Sequence, residues 1–363
     1  MKIGIVTFQS ALNCGAVFQA YALQTYLEGL GHEVSFINYQ EKYITNNLRS
    51  FIGKNLSRTW YKLVDKINYY KYQNRPSFHS ILKIDSILYK SLDELKINPP
   101  KMDAYIAGSD QIWNIGSKKE INKVYYLDFG GLEIKRISFA ASLGQCNVPE
   151  FLNDEIATQL KKFNSISVRE SSGVEFIQSL VKDKKVYHIS DPTFLLKAGD
   201  YRKIMSKEMK KSNKKFIVSY ILADYNSSQM KIIDHIKQKL SLDILNLRNP
   251  NSCIRLENAK NKIVEPQEWL YQVDNSRFMI CCSFHAVVFS LIFHKPFIVV
   301  SPYKNARILS LLISLGLEEH IIYDYNGKIV DELLIKKIDW KSVDSKIEEF
   351  KFKSNAFLNL SLN

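Results

Sequence analysis

The sequence predicts an α/β protein built from two Rossmann-like domains that face a cleft. Apolar runs typical of buried parallel strands alternate with helical segments along most of the chain. A lysine-rich segment, residues 206–215, interrupts this alternation once. The chain of 363 residues also exceeds what a single core usually organises. We therefore expect a first domain over 1–204, a second over 205–345, and a C-terminal helix over 346–363 that packs back on the first domain.

The first forty residues predict one βαβ unit, with strands over 2–8 and 33–39 and a helix over 17–30. The loop between the first strand and the helix contains Asn13 and Gly15. Such a loop can bind phosphate, because a helix N-terminus offers free N–H groups. The GxGxxG fingerprint is absent, so a dinucleotide site is unsupported.

Further strands and helices continue the alternation on both sides of the lysine-rich segment. In the first half, strands are predicted over 104–107, 136–140, 165–168 and 185–188, with helices over 154–163 and 173–178. In the second half, strands are predicted over 216–221 and 243–247, with a helix near 227–240 and another from Pro266.

Residues 41–100 predict a helical insertion in the first domain, with basic and aromatic side chains on one face. The basic side chains include Arg58, Lys62 and Lys66, and the aromatic ones include Trp60 and Tyr61. A solvated helix pair is the simpler interpretation. The alternative is a face that rests on an anionic membrane surface, where lysine and aromatic residues are both favourable.

Composition restricts the compartment and the partners. The formal net charge of +13 favours phosphorylated substrates, anionic membranes or nucleic acid, but no nucleic-acid motif is present. The five cysteines are scattered without metal-binding spacing, which fits a reducing cytoplasm. Neither a signal peptide nor a transmembrane segment is recognisable. We expect a cytoplasmic protein, with peripheral association at the inner face of the plasma membrane as an open alternative.

Residues 278–300 are the most informative stretch for function. They predict a buried strand, a corner at Ser283-Phe284-His285, an apolar helix, and a second buried strand after Pro296. Ligands of open parallel sheets bind beyond the carboxyl ends of the strands. His285 is either a hydrogen-bonded structural residue or a catalytic group at such an end.

Other polar residues follow predicted strands in the first half. Asp110, Gln111 and Trp113 come after the strand over 104–107, and Arg169 ends the strand over 165–168. Arginine is a natural bidentate partner of carboxylate or phosphate. Asp191 also ends a strand, and there capping of the following turn is the favoured role.

These motifs together resemble the polysaccharide pyruvyl transferase family over nearly the whole chain. The matching motifs are Asn13-x-Gly15-Ala16-x-x-Gln19-Ala20-Tyr21-Ala22-Leu23-Gln24, Gly108-Ser109-Asp110-Gln111-x-Trp113-Asn114, Ser167-Val168-Arg169-Glu170, Asp191-Pro192-Thr193 and Ser283-Phe284-His285. The resemblance implies a glycosyltransferase-B-like fold, phosphoenolpyruvate as donor and a sugar of a surface glycan as acceptor. The family commonly has an acidic residue before Ser-Phe-His, where this chain has Cys282.

The chemistry of ketal formation assigns roles to these residues. A proton must reach the donor methylene carbon near neutral pH, which suits histidine, and the donor anion needs cations. We expect His285 and Asp110 to be catalytic, without a metal or a cofactor beyond the co-substrate phosphoenolpyruvate. The predicted donor-binding residues are Arg169, Ser283, His285, Asn13 and Gly15. The predicted acceptor-binding residues are Asp110, Gln111 and Trp113.

Two other functions remain open from the sequence. A nucleotide-sugar-dependent glycosyltransferase could use the same fold and would need a nucleotide pocket in the second half. A non-catalytic scaffold of a glycan assembly complex would be expected to lose residues such as Asp110, Arg169 and His285, which this chain retains.

Overall fold

The computed structural model describes residues 1–40, 67, 70–72, 76–116, 120–144, 148–205, 215–222, 224–250, 252 and 254–363. These residues contain two parallel β-sheets, one in each half of the chain, which confirms the predicted fold class. The first sheet has the strand order β3-β2-β1-β4-β5-β6-β7. Its strands are β1 Lys2–Val6, β2 Glu33–Tyr39, β3 Ile84–Tyr89, β4 Ala104–Ala107, β5 Lys135–Ala141, β6 Ser165–Val168 and β7 Val186–His188.

The second sheet has the strand order β10-β9-β8-β11-β12-β13. Its strands are β8 Phe216–Tyr220, β9 Asp243–Arg248, β10 Lys260–Ile263, β11 Phe278–Cys281, β12 Phe297–Val300 and β13 Ile321–Ile322. In each sheet the strand order reverses at one point, between β1 and β4 in the first and between β8 and β11 in the second. Open α/β sheets bind ligands in the crevice at this reversal. The lysine-rich segment that was predicted as a linker lies almost entirely outside the described residues.

Helices cover both sheets. They are α1 Cys14–Gly29, α2 Leu92–Ile97, α3 Asn153–Leu160, α4 Ser171–Leu180, α5 Ala198–Lys203, α6 Ser227–Leu240, α7 Pro266–Asn275, α8 Phe284–Ile292, α9 Ala306–Leu315, α10 Gly327–Ile335 and α11 Trp340–Leu362. No helix within the described ranges is long and apolar enough to cross a membrane.

The two halves share a continuous apolar core. Helix α8 is buried on nearly all sides, because its residues are apolar around the whole circumference. Phe289 of α8 contacts Phe18 of α1 from the other half, with ring centroids 4.9 Å apart. The ring of Trp269 in α7 also packs beside Phe18, with ring centroids 5.4 Å apart. These contacts fix the position of α8 relative to the first sheet.

The C-terminal helix α11 contacts the first half of the chain. The Phe357 ring lies 5.2 Å from Tyr187 and 6.2 Å from Phe139. Lys135 Nζ donates a hydrogen bond of 2.9 Å to the carbonyl of Leu362. The helix begins at Trp340, before the predicted start at residue 346. Its Asp339 cap, which accepts a bond from Ser342 N, explains the earlier start.

The predicted helical insertion over 41–100 is wrong for residues 84–89. Ile84–Tyr89 form β3, which pairs in parallel with β2 at the edge of the first sheet. An edge strand lacks a buried run on both faces, so its sequence does not show the pattern of the central strands. Of the basic and aromatic face, only residues 67 and 70–72 are described, and the other residues of that prediction lie outside the described ranges.

We expect Phe357→Ala to lower the free energy of unfolding by about 3–5 kcal/mol, because it removes a buried ring between two aromatic neighbours. Phe352→Ala on the same helix is the matched control, since Phe352 is 74% exposed. Chemical denaturation of both variants measures the difference. Equal stabilities would mean that α11 does not pack on the first half.

Candidate active site

A cleft lies where the carboxyl ends of the two sheets face each other. Its volume is about 270 Å³. In the first sheet the strand order reverses between β1 and β4, and Phe8 and Asp110 follow these two strands. In the second sheet it reverses between β8 and β11. Tyr220 is the last residue of β8, and Cys282 follows β11. Residues that the sequence singled out lie together in its wall: Asn13, Asp110, Gln111, Ser283 and His285.

His285 is positioned by the start of helix α8. Ser283 caps this helix, because its Oγ accepts a hydrogen bond of 3.2 Å from Ala286 N. His285 is therefore in the first turn and leaves the helix towards the first half of the chain. It is 7% exposed, and it lines the cleft. The predicted donor contact of Ser283 would have to share its hydroxyl with this cap.

Asp191 lies at the centre of a buried polar network behind His285. Its Oδ2 accepts hydrogen bonds from Arg169 Nη1 at 2.7 Å and from Ser109 Oγ at 3.1 Å. Its Oδ1 accepts from the backbone N of Thr193 at 3.0 Å and from the Thr193 hydroxyl at 2.7 Å. His285 Nε2 lies 3.6 Å from Oδ2. The network joins the ends of β4, β6 and β7 to helix α8.

The network keeps Asp191 ionised. Burial raises the pKa of Asp191, but His285, Arg169 and Thr193 together lower it by more, so the pKa lies well below its usual value. For Arg169, burial lowers the pKa, while Glu170, Asp191 and Asp110 raise it above its usual value. Both groups are therefore charged at neutral pH.

Asn13 and Gly15 lie at the start of helix α1, not in a free loop. Asn13 Oδ1 accepts hydrogen bonds from Gly15 N at 2.9 Å and Ala16 N at 3.4 Å, so the helix begins at Cys14. A Cβ atom on Gly15 would lie only 2.3 Å from His285 Nδ1. Glycine is thus needed here for the close approach of the imidazole ring. Two of the N–H groups at this helix start, those of Gly15 and Ala16, are therefore bonded to the Asn13 cap.

Asp110 is held in an unusual backbone conformation at the cleft. Its φ is +78°, in the left-handed region that costs a non-glycine residue about 1–2 kcal/mol. The Asp110 carbonyl accepts from Ile112 N at 2.8 Å and from Ser142 N at 3.0 Å, which fixes this turn. Its Oδ1 accepts from Gln111 N at 2.8 Å. The turn holds the Asp110 carboxylate in the wall of the cleft.

Trp113 does not lie in the cleft, and its predicted acceptor contact is wrong. It is 1% exposed, and its ring stacks on Tyr126 at 5.2 Å. Its Nε1 donates a hydrogen bond of 2.9 Å to the carbonyl of Tyr125. The polar neighbours of Trp113 in sequence suggested a binding residue, but the indole belongs to the core of the first half.

The Arg169 side chain does not line the cleft. It is 2% exposed, pairs with Asp191 and Glu170, and lies 4.4 Å from the centre of the Phe284 ring. It lines a smaller cavity, of about 60 Å³, whose wall shares Phe284 and Arg307 with the cleft. The structure therefore does not bring Arg169 into the cleft wall beside the other residues predicted to bind the donor.

Arg307 lines both cavities and was missed by the sequence reasoning. It follows β12 in the first turn of α9, after Asn305, which caps that helix. Burial lowers the pKa of Arg307, and the neighbouring Arg169 lowers it further. With its oxygen towards Arg307, the Gln111 amide accepts from Nη1 at 3.0 Å and Nη2 at 3.3 Å.

A signal for Arg307 and for the wider role of Asp191 was present in the sequence. Both residues come after strands of the parallel sheets, and polar residues at such positions converge on one edge of a sheet. Among the described residues, no three His, Cys, Asp or Glu side chains group as a metal ion would require.

Three comparisons place this architecture among known proteins. A family model described as polysaccharide pyruvyl transferase matches residues 13–305. UDP-GlcNAc 2-epimerase from Methanocaldococcus jannaschii has a similar structure, with a TM-score of 0.56 and 14% identity over 100% of both chains. UDP-GlcNAc 2-epimerase from Neisseria meningitidis, bound to UDP-GlcNAc, is similar with a TM-score of 0.54 and 11% identity. This match covers 98% of this chain and 94% of that chain. No curated protein sequence matches significantly. At these identities the structural likeness supports the two-domain, glycosyltransferase-B-like fold alone.

We expect Trp113→Phe to lower the free energy of unfolding by about 1–3 kcal/mol, because the Tyr125 carbonyl loses a buried donor. Trp340→Phe is the matched control, since the Trp340 ring is only partly buried and stacks on the half-exposed His294. Chemical denaturation compares the two variants. A Trp113→Phe protein as stable as the control would contradict the core position of this indole.

Proposed function

We propose that this chain, which belongs to the polysaccharide pyruvyl transferase family, transfers the pyruvyl group of phosphoenolpyruvate to a sugar. The acceptor would be a sugar of a cell-surface polysaccharide or of its lipid-linked precursor, and the products would be a pyruvate ketal and phosphate. The observation that supports this proposal is the cleft itself, where an imidazole, a carboxylate and a guanidinium meet.

The cleft suits a small anionic donor. Its volume of about 270 Å³ is near the lower end of the range for small-molecule sites, about 300–1,000 Å³. Phosphoenolpyruvate carries a carboxylate and a phosphate, which need cationic or N–H donors. Arg307 is the arginine in the cleft wall, and burial next to Arg169 disfavours its charge. A bound anion would relieve this cost, so we assign the first donor contact to Arg307 instead of Arg169.

His285 would supply the proton that starts the reaction. The N–H bond of the imidazolium breaks, and the proton joins the methylene carbon of the enol phosphate, which becomes a methyl group. Positive charge then develops at C2, where the neighbouring oxygen shares it. Histidine suits this step because an imidazolium is a common general acid in proton transfer.

Asp110 would act on the acceptor. Its carboxylate lines the cleft on the side opposite α8, where it can accept the proton of an attacking sugar hydroxyl. That hydroxyl oxygen bonds to C2, the C2–O bond to phosphate breaks, and phosphate leaves with the bond's electron pair. A second hydroxyl of the same sugar then bonds to C2 and closes the ketal ring, and its proton leaves with phosphate. Asp110 then releases its proton to water and His285 takes one up, which restores both groups. The Asp110 backbone turn keeps the carboxylate fixed, which limits the reorganisation that the step requires.

The acceptor and the site of action follow from less specific features. The positive net charge favours anionic glycan intermediates, and membrane association through residues 42–75 would bring the cleft near lipid-linked sugars. Most of that segment lies outside the described residues.

The test is phosphate release from phosphoenolpyruvate with candidate acceptor glycans. We expect His285→Ala to lower turnover by about 100- to 10,000-fold, with a donor KM close to the wild-type value. Arg307→Gln should instead raise the donor KM by about 10- to 100-fold, because a charged hydrogen bond to a buried anion is lost.

Two surface substitutions serve as controls. His235→Ala removes an imidazole that pairs with Asp331, and Arg202→Gln removes a guanidinium that pairs with Asp274, both away from the cleft. These variants should keep wild-type rates. A folded His285→Ala protein with wild-type turnover would refute the role of His285. Absence of phosphate release with every acceptor and of ketal product would refute pyruvyl transfer.

A further inference from the structure

We propose that Asp191 and Gly15 are a pair of positioning residues that fix the imidazole of His285 and select Nδ1 as the nitrogen that delivers the proton. This inference rests on the proposed function, because it concerns the geometry of the same histidine. It goes beyond that proposal by assigning a role to a carboxylate and to a glycine that need not touch the substrate.

The Asp191 carboxylate is held in one orientation. Both of its oxygens accept hydrogen bonds, from Arg169 and Ser109 on one side and from the Thr193 N–H and hydroxyl on the other. Such a carboxylate cannot rotate without losing several bonds in a buried environment. These bonds fix the position of the Asp191 carboxylate without any contribution from His285.

His285 Nε2 faces this fixed carboxylate. The two groups are 3.6 Å apart, slightly beyond hydrogen-bond length, and Nε2 is fully buried. Nε2 has no hydrogen-bond partner among the described residues. A buried nitrogen facing an ionised carboxylate is best occupied by a proton, because a lone pair there would face negative charge. We therefore place the N–H of the neutral ring on Nε2.

Gly15 controls the other ring nitrogen. A Cβ atom there would lie 2.3 Å from Nδ1, 2.6 Å from Cγ and 2.9 Å from the Cβ of His285. The glycine φ is not in the left-handed region, so space and not backbone conformation requires glycine at this position. With no side chain on Gly15, the ring can lie against the start of helix α1. Of the two ring nitrogens, only Nε2 is a fully buried atom without a hydrogen-bond partner among the described residues. Since Nε2 is fully buried, Nδ1 is the nitrogen that can reach a donor in the cleft.

This arrangement divides the work between the two nitrogens. Nε2 keeps its proton throughout the cycle, and Asp191 faces it. Nδ1 carries the second proton in the imidazolium, gives it to the methylene carbon, and is left with a lone pair. The ring then returns to the Nε2–H tautomer that Asp191 favours. A histidine free to rotate would lose this preference.

Two glycines of one helix provide the first test. Gly15→Ala should lower turnover by about 100-fold, because it displaces the imidazole by a fraction of its diameter while leaving every reactive group in place. The donor KM should stay within about threefold, since Arg307 is unchanged. Gly29→Ala in the last turn of α1 is the matched control, because a Cβ there meets nothing within 4 Å. Wild-type turnover of a folded Gly15→Ala protein would overturn the inference.

The second test does not depend on turnover, and its main measurement is made on the wild-type protein. The ¹⁵N chemical shifts of the His285 ring in the wild-type protein distinguish the two neutral tautomers, and His285→Ala identifies the signals. We expect the proton on Nε2, and a spectrum with the proton on Nδ1 would overturn the inference. In Asp191→Asn, loss of the negative charge should shift the population towards Nδ1–H. An unchanged tautomer in a folded Asp191→Asn protein would also count against it.

The two tests separate this inference from the proposed function. If wild-type protein releases no phosphate from phosphoenolpyruvate, pyruvyl transfer fails, whereas the tautomer measurement still decides whether Asp191 positions His285. If pyruvyl transfer occurs and the proton lies on Nδ1, only the positioning inference fails.

Discussion

The buried ion pair between Asp191 and Arg169 is the interaction on which the geometry of the cleft depends. Both side chains are almost completely inaccessible to solvent, and their atoms are 2.7 Å apart. A buried charge is costly unless it is paired and hydrogen-bonded, and loss of one partner typically costs about 3–5 kcal/mol. Asp191 meets this requirement by bonding to groups from several strand ends, and the same carboxylate faces His285 of the other half. The constraint that stabilises these charges therefore also sets the position of the imidazole.

The position of helix α8 links this polar network to the apolar core. Because α8 is apolar on all sides, it is buried between the second sheet and helix α1, where Phe289 meets Phe18. This packing places the first turn of α8 against the first turn of α1, so that His285 meets Gly15. Close-packed interfaces of this kind have few alternative arrangements. A donor in the cleft would then meet groups that are already oriented, which reduces the reorganisation needed during reaction.

The sequence predicted the central strands well, but of the edge strands β3, β7, β10 and β13 it predicted only β7. The strands over 33–39, 104–107 and 165–168 have the predicted bounds, because each is a short run that contains β-branched or aromatic residues and ends at a turn signal. Strand β3 was missed because an edge strand has no doubly buried pattern. The sequence also showed that Asp191 and Arg307 follow strands, but strand order decides which ends are neighbours, and this order depends on long-range packing. Trp113 was misassigned for a related reason, since polar sequence neighbours do not determine which way a side chain points.

A crystal structure of the protein with bound phosphoenolpyruvate would test the account most directly. We expect the donor in the cleft, with an anionic group hydrogen-bonded to Arg307 and the methylene carbon facing His285 Nδ1, while Asp191 remains beside Nε2. A donor bound elsewhere, or one whose methylene carbon lies beyond the reach of His285, would contradict the proposed site and its mechanism.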